Sequence, residues 1–390
     1  SDLSNTPWNN RGWDNGVELK STLLRKTGSS ALEIIQEKEN IYERNDTRLF
    51  EMKNFAGRQL FNIACPTAYV SHPYTCLAAD VSTANNKCTG LSVGTQVYLK
   101  ELDNISVTDY RLISYWHYLK SQKTTDYLDG TPMQTQTEYF YDNPLNYQLS
   151  RQKTIFPDAT INEVSYQYAH EKGNQLMVGK NMVGIPLQTT TTQTIGSNTK
   201  TLSKTETIYP SSVPTVQTGN LILPLEVKSY DTLNNIPSTE VKYDKYDEKG
   251  NILQYTTKDG LPVAIVWGYN KTQPIAKVEG ITYDQLTAAV SISAIVSASD
   301  QDASNPATEN QLLTALNDFR KQTALSEKQI TTFTYDPLIG VTSITPPTGI
   351  REIYSYDAAN RLKEVKVREK DSTGNYVYRK VKEFNYNYKQ

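Results

Sequence analysis

Three segments in the C-terminal half of the sequence share one pattern, in which a Tyr-Asp pair precedes a short turn and an apolar run. They are YDKYDEKGNILQY, with Tyr246, Asp247 and Gly250; FTYDPLIGVTSI, with Tyr335, Asp336 and Gly340; and YSYDAANRLKEV, with Tyr356, Asp357 and Asn360. Tyr335 and Tyr356 are 21 positions apart, which suits one hairpin of two short strands. The repeat therefore predicts an array of antiparallel β-hairpins.

Each Tyr-Asp pair has a structural explanation that assigns no chemistry to it. The aspartate carboxylate can accept backbone N–H groups of the next two residues and close an Asx-type turn. A glycine or asparagine three residues later supplies the positive φ of a tight hairpin. The tyrosines before the aspartate alternate onto one face and stack on the neighbouring repeat. We therefore interpret Asp247, Asp336 and Asp357 as turn residues.

The segment YSYDAANRL resembles the repeat form Y-x-Y-D-x-x-G-R-L of the YD-repeat (Rhs-type) family, with Asn360 in place of the glycine. The resemblance is to the C-terminal portion of YD-repeat proteins from Bacteroidota. It is fullest over 230–390 and fainter back to residue 126. It implies a mainly β fold, a spiralling antiparallel ribbon that in complete members can close into a hollow cocoon, often around a toxin. Because this chain is short for a closed cocoon, we expect an open or partial spiral, or an end piece of a larger protein.

Toxin-delivering members of that family share a C-terminal self-cleavage motif, DPxGxxGG. The most similar segment here, DPLIGVTS from Asp336 to Ser343, lacks the glycine pair. This departure argues against self-cleavage and toxin release by this chain.

Composition and spacing divide the chain into four regions. We expect an N-terminal β region over 1–125 with a cysteine-containing loop at 62–94, and a repeat-like β region over 126–281. A helical insertion over 282–330 and C-terminal repeats over 331–390 follow. Residues 32–43 could form a helix, but the β-branched pair Ile34-Ile35 favours a strand. The threonine-rich segment 187–207 is also interpreted as strand, because solvated threonines suit an outer face.

The helical insertion is predicted from two capping boxes. In the first, Thr282 is followed three residues later by Gln285, and Leu286, Val290 and Ala294 continue at helical spacing. In the second, Thr308 precedes Gln311, and an apolar stripe follows, formed by Leu312, Leu316 and Phe319. The two together predict an αα-hairpin, which either closes an open end of the sheet or forms a long surface insertion.

Three cysteines, Cys65, Cys76 and Cys88, lie within one stretch. In an extracellular protein they predict one disulfide among them and a spare thiol, and in a cytosolic protein three free thiols. A zinc site with His72 is the less favoured alternative, since no paired C-x-x-C is present. A disulfide that closes this long loop would remove entropy from the unfolded chain.

Charge and motif content exclude several classes of protein. Forty basic and 42 acidic side chains give a net charge of −2, which argues against a nucleic-acid partner. The uncharged, partly apolar stretch from Leu286 to Ser299 is too short to span a membrane. No nucleotide-binding, metal-binding or nucleophile motif is present, so we expect no enzyme, no catalytic residue, no cofactor and no metal. Trp8 and Trp13, near the first residue, are candidates for a contact surface.

These observations predict a non-enzymatic scaffold exported to the bacterial cell surface or medium, where it acts as a shell, an adhesion protein or an interaction protein. The start at Ser1 looks like a cut after a removed signal. The expected partners are outer-membrane secretion or carrier proteins, in particular of the type IX route, and a larger shell or toxin segment. The alternatives are a toxin-encapsulating shell fragment and a glycan-binding or glycan-acting protein.

Overall fold

The computed structural model describes residues 16–28, 31–59, 75–77, 96–98, 105–128, 130–370, 373 and 375–386. The chain forms two compact units, 1–139 and 140–390, and each is considered by itself.

The first unit is built around one long antiparallel hairpin. Its strands are β1 (Lys20–Thr27), β2 (Ala31–Gln59), β3 (Thr75–Leu77), β4 (Gln96–Tyr98), β5 (Ile105–Leu128) and β6 (Thr131–Phe140). β1 pairs with β2, β2 with β5, and β5 with β6, while β3 and β4 form a separate small pair. Residues 32–43 lie inside β2, so the strand interpretation of that segment is confirmed.

The described residues of the second unit form fourteen strands in a meander. They are β7 (Arg151–Ile155), β8 (Ile161–Gln167), β9 (Gln188–Ile195), β10 (Asn198–Ile208), β11 (Glu226–Tyr230), β12 (Pro237–Tyr246), β13 (Ile252–Thr257), β14 (Pro262–Gly268), β15 (Gln273–Glu279), β16 (Gln329–Asp336), β17 (Gly340–Thr345), β18 (Glu352–Tyr356), β19 (Leu362–Lys370) and β20 (Tyr376–Glu383). From β7 to β20, each strand pairs antiparallel with the next. Within the described residues the sheet is open. The predicted mainly β, antiparallel hairpin fold is thus confirmed, and the threonine-rich segment forms β9 and β10.

Four α-helices interrupt the meander. They are α1 (Gln175–Gly179), between β8 and β9, and α2 (Tyr283–Ala289), α3 (Ser293–Ser304) and α4 (Glu309–Arg320), between β15 and β16. Single 3₁₀ turns at Pro306–Thr308 and Thr323–Leu325 flank α4.

The insertion differs from the expected two-helix hairpin because its first predicted helix is broken. Val290 is extended, with φ −139° and ψ 143°, so α2 ends there and Ala294 belongs to the next helix. The capping box of Thr282 and Gln285 is present. The predicted second box is absent, since the Thr308 side chain caps nothing and Asn305 instead accepts the backbone N–H of Ala307.

The main hydrophobic core lies where α2, α3 and α4 pack on β14, β15 and β16, which we call the helix-covered strands. The predicted stripe of Leu312, Leu316 and Phe319 is buried in it. By contrast, every residue of β7, β8, β11, β13 and β18 is half-buried, on both faces of the sheet. We call these five the bare strands. A strand that covers a core on one face alternates between buried and exposed residues, and the bare strands show no such alternation.

Candidate functional site

The Tyr-Asp turns are hairpin turns closed by their own carboxylates. In the turn after β12, one carboxylate oxygen of Asp247 accepts the backbone N–H groups of Lys249 at 2.9 Å and Asn251 at 2.8 Å. The donors are thus two and four residues on, instead of the next two residues. The other oxygen accepts the Asn251 side-chain amide at 3.0 Å, and Gly250 adopts φ +87°. The carboxylate contacts all serve the turn itself.

The turn after β18 repeats this geometry with a charged partner. One oxygen of Asp357 accepts the backbone N–H groups of Ala359 at 2.8 Å and Arg361 at 3.0 Å. The Arg361 guanidinium donates to the other oxygen at 2.8 and 2.6 Å. These bonds, the arginine side chain first, lower the pKa of Asp357 to about 2. Asn360 takes the positive-φ position at +58°, where the family pattern has glycine.

The turn after β16 contains the partial match to the cleavage motif. Asp336 accepts the backbone N–H of Leu338 at 3.0 Å, and its chain continues directly into β17 through Gly340. Gly340 has φ +145°, and a Cβ there would stand 3.1 Å from the hydroxyl of Tyr356. The glycine therefore serves the contact between two successive repeats.

Six hydrogen bonds, which the sequence pattern did not reveal, join strands of the meander to segments earlier in the chain. In each bond an aromatic side chain donates to a backbone carbonyl earlier in the chain, in most cases about one repeat away. The pairs are Tyr168 to Leu149 (2.7 Å), Tyr246 to Pro224 (2.8 Å), Trp267 to Ile252 (2.8 Å), Tyr335 to Pro274 (3.0 Å), Tyr356 to Val341 (2.8 Å) and Tyr386 to Leu362 (2.9 Å). We call these six contacts the aromatic ladder.

The aromatic ladder gives the Tyr-Asp pairs a second function. The aspartate closes its own hairpin, and the tyrosine before it fixes that hairpin to its neighbour. Burial raises the pKa of Tyr335 to about 12, so its hydroxyl keeps its proton as a donor. The signal present in the sequence was the repeat period, since a tyrosine at the end of one hairpin reaches a carbonyl about one period upstream.

The helical insertion is attached to the sheet by a buried polar cluster. The hydroxyl of Tyr269 donates to one carboxylate oxygen of Asp302 on α3 at 2.8 Å and accepts the backbone N–H of Tyr335 at 2.8 Å. Ser299, also on α3, accepts the backbone N–H of Tyr269 at 3.2 Å. On α4, the carboxylate of Glu309 accepts the hydroxyl of Thr334 at 3.0 Å. Two helices are thus tied to strands through side chains that the sequence pattern does not single out.

Asp302 is the unusual member of this cluster. It is only 3% exposed, and its second carboxylate oxygen has no hydrogen-bond partner in the described structure. Burial, and then the negative charges of Glu309 and Asp336, raise its pKa, while the bond from Tyr269 opposes that rise. A buried carboxyl with one open oxygen disfavours its charged form.

A cleft of about 690 Å³ lies between the Tyr-Asp turn of β12 and the junction of α2 with α3. Trp267 and Tyr283 contribute aromatic surface, and Val290 contributes an apolar side chain. At its rim Lys271 forms an ion pair with Glu248. The third charged group of the lining, Asp247, is bonded within its own turn, and the Trp267 indole N–H is already used in the aromatic ladder. The cleft therefore offers contact area and no activated acid, base or nucleophile.

Several predicted site residues are not part of the described structure. Trp8, Trp13, Cys65 and Cys88 lie outside the described residues, as does His72. Cys76 lies in β3, but its side chain is outside the description. The disulfide, the zinc alternative and the contact surface therefore remain predictions. Across the described ranges, no three metal-ligand side chains are grouped to hold an ion, and no helix has the length and apolarity to span a bilayer.

No known family model and no curated protein matches the sequence. Among solved structures, the chain is similar to TcdB2-TccC3 without its hypervariable C-terminal region, at 8% identity and a TM-score of 0.38, over 68% of this chain. It is also similar to TcdB2-TccC3-TEV, at 11% identity and a TM-score of 0.29, over 94% of this chain. The chain spans 15% of the length of each of these structures. At such identities the similarity concerns the fold alone.

Proposed function

We propose that this chain is a non-enzymatic structural wall, a segment of a larger scaffold or shell of the YD-repeat type. The observation that supports it best is the half-burial of both faces of the bare strands. An ordinary sheet buries at least one face against a core. A sheet one layer thick instead separates two spaces, or presents one face to a partner along its whole length.

The aromatic ladder supplies the mechanical basis of such a wall. Backbone pairing joins neighbouring strands, and the ladder adds side-chain bonds between successive hairpins, such as Tyr246 to Pro224 and Tyr356 to Val341. Each of these bonds contributes about 0.5–1.5 kcal/mol of net stability. The Asp247 and Asp357 carboxylates bond within their own turns. The polar groups of the repeat therefore stabilise the hairpins.

The wall is proposed to stand outside the cytoplasm, at the cell surface or in the medium. Its partners are then an outer-membrane secretion or carrier protein and the remaining segments of the shell. Encapsulation of a toxin segment is the alternative role of the same wall. It differs from surface display only in what one face of the sheet contacts.

The test is imaging of the native protein, purified from its source cells and medium, by electron cryomicroscopy. We expect the hairpins of residues 151–257 to form a wall with solvent, a lumen or a partner against each face. Density for a further segment inside a lumen identifies encapsulation, and an empty or absent lumen on surface-exposed protein identifies display. A particle in which both faces of these hairpins are sealed in the core of a compact domain would overturn the wall.

Cell location is tested separately by treating intact cells with a protease and an impermeant thiol reagent. Export is supported if the protein is digested at the surface and if only one of Cys65, Cys76 and Cys88 reacts as a free thiol, the other two being joined in a disulfide. Complete protection of the protein, with three reactive thiols after lysis, contradicts it.

A further inference from the structure

Two arginines of the second unit are buried without a carboxylate partner. Arg351, immediately before β18, is only 6% exposed, and Arg320, in the last turn of α4, is half-buried. Among the described residues neither forms an ion pair, although most arginines of the second unit do so or stack on a ring. Burying a guanidinium away from a counter-charge is unfavourable, and such groups are normally paired.

The contacts of Arg351 are all to neutral oxygens. Its Nε donates to the hydroxyl of Thr345 at 3.1 Å, and its Nη2 donates to the side-chain carbonyl of Asn317 at 2.9 Å. Its Nη1 has no partner among the described residues and is not sealed off from solvent. The guanidinium group of Arg351 therefore has one open donor, Nη1.

Arg320 is held by carbonyls only. Its Nη1 donates to Ile330 and, at 3.1 Å, to Thr345, and its Nη2 donates to Pro346 at 2.8 Å. Burial, and then the positive charge of Arg351, lower the pKa of Arg320. Both guanidinium groups bond to Thr345, Arg320 to its backbone carbonyl and Arg351 to its hydroxyl, so the two like charges lie close together.

A third arginine extends the cluster across the sheet. Val367 of β19 is opposite Glu352 of β18, so the next pair in register is Arg351 with Arg368. The backbone N–H of Arg368 donates to the carbonyl of Arg351 at 2.9 Å. Residues directly opposite each other share a face, and like charges in such a pair are destabilising.

The surroundings of Arg368 do not neutralise it. Its guanidinium lies over the ring of Tyr376, 4.0 Å from the centroid, and forms no ion pair in the described part of the chain. Burial and then the charge of Arg368 lower the pKa of Arg351. Glu309 is the carboxylate that acts on Arg351 electrostatically, but it forms no ion pair with Arg351 in the described structure, and its Oε1 accepts the hydroxyls of both Thr334 and Thr342.

We propose that Arg320, Arg351 and Arg368, the arginine row, form a binding site for an oxyanion. The open Nη1 of Arg351 can donate to one oxygen of a carboxylate or a phosphate, and a bound anion would supply the counter-charge that the three guanidinium groups lack. The site does not depend on the proposed wall function. It fits either a free tetrahedral anion or a carboxylate carried by another molecule, because both present a charged oxygen to that donor.

The test measures thermal unfolding of the full 390-residue chain with sodium phosphate and, separately, sodium acetate, each against sodium chloride at equal ionic strength. We expect a saturable rise in the unfolding temperature that chloride does not reproduce. A response to phosphate alone assigns the site to tetrahedral anions, and a response to acetate as well assigns it to carboxylates. The absence of any response beyond chloride overturns the proposal.

The variants Arg368→Gln and Lys366→Gln separate the arginine row from general surface charge. Arg368→Gln leaves the buried Arg351 in place and should weaken anion binding about tenfold or more, since charge-assisted bonds are lost. Without anion it should be at least as stable as the parent, because a like-charge pair has been removed. Lys366, on the same strand, is paired with Glu364 at 2.7 Å, and its replacement should leave anion binding unchanged.

Equal loss of binding in both variants would indicate nonspecific charge and would contradict the site. Undiminished binding in Arg368→Gln would do the same. If Arg368→Gln is less stable than the parent in the absence of anion, Arg368 stabilises the fold. Repulsion between Arg351 and Arg368 is then not a source of instability, which contradicts the site.

Discussion

The helix-covered strands and the bare strands are built from the same antiparallel hairpins, yet only the former have a core. Val263, Val266 and Ile275 of the helix-covered hairpin are almost completely buried, whereas the bare strands contain no buried residue. The difference comes from a second layer, because α2 to α4 supply the apolar stripe that the sheet face needs. Hairpin repetition thus produces a sheet, and the insertion converts part of it into the main hydrophobic core.

Stability should be distributed as unevenly as burial. Regions with few buried contacts open with a small free energy, and packed cores open last. We expect backbone amides of β14 to β16 to be the slowest to exchange hydrogen in the second unit.

The largest expected effect is the loss of a core side chain. Leu312, on α4, is 0% exposed, so Leu312→Ala should lower the free energy of unfolding by about 2–5 kcal/mol. Leu338 lies in a Tyr-Asp turn and is 91% exposed, so Leu338→Ala should change it by less than about 0.5 kcal/mol. Urea unfolding of the full chain measures both. Equal effects would mean that the helices do not carry the core.

The next effect comes from close packing of α3 on the sheet. A Cβ at Gly268 would overlap the Oγ of Ser299 and lie 2.9 Å from Ile275, so Gly268→Ala should cost about 1–3 kcal/mol. Gly179→Ala is the matched control, since a Cβ there would have no neighbouring atom within 4 Å. Adding Ser299→Gly should restore part of the loss. If thermal unfolding shows no such recovery, the helix does not pack at Gly268.

The pH dependence of Asp302 tests the polar attachment of α3. Because burial raises its pKa in the folded state, the folded chain binds more protons there, and stability falls as pH rises above the ordinary value of 3.8. Asp302→Asn removes this loss and should be more stable than the parent at pH 7, by about 1 kcal/mol or more, with the gain shrinking toward about pH 3.5.

Urea unfolding across that pH range measures the difference between the two proteins. Asp318→Asn, at an exposed position on α4, is the control, because it removes one carboxyl from the same insertion without touching a buried group. A gain from Asp302→Asn that is the same at every pH would show that the carboxyl does not titrate in this range.

The smallest effects belong to the aromatic ladder. Tyr335→Phe and Tyr356→Phe each remove one hydroxyl and leave the ring, so each should cost about 0.5–1.5 kcal/mol. The loss should be greater at Tyr335, whose ring packs on the core, than at Tyr356 on the bare strand β18. Tyr243→Phe is the control, because that hydroxyl has no hydrogen bond among the described residues. Identical losses in all three variants, measured by chemical unfolding, would remove the ladder as a specific contact.

Local pattern predicted much of the molecule. Three features could be predicted because each depends on neighbours a few positions away. They are the strand at residues 32–43, the polar strands of 187–207, and the stripe of Leu312, Leu316 and Phe319. The second capping box failed for an equally local reason. Asn305 competes for the start of the helix and caps a 3₁₀ turn first.

The contacts that define the candidate sites could not be predicted from the sequence. The hydroxyl of Tyr335 bonds Pro274 across 61 positions, because the insertion separates two strands that pair in space. Asp302 and Tyr269 meet only when α3 packs on the sheet, and nothing in DQDAS distinguishes the buried aspartate from its neighbours. Arg351 and Arg368 lie opposite each other because of the pairing register of β18 with β19, and the register of a strand pair shifts at each bulge.

The sequence by itself determined the antiparallel meander, its Tyr-Asp turns and the presence of a helical insertion, since turn chemistry and periodicity act over a few residues. The tertiary structure alone decided which strands acquire a core, which carboxyl loses its solvent and which arginines face each other. Those outcomes depend on burial and register between segments far apart in the chain, and burial is a property of the packed molecule.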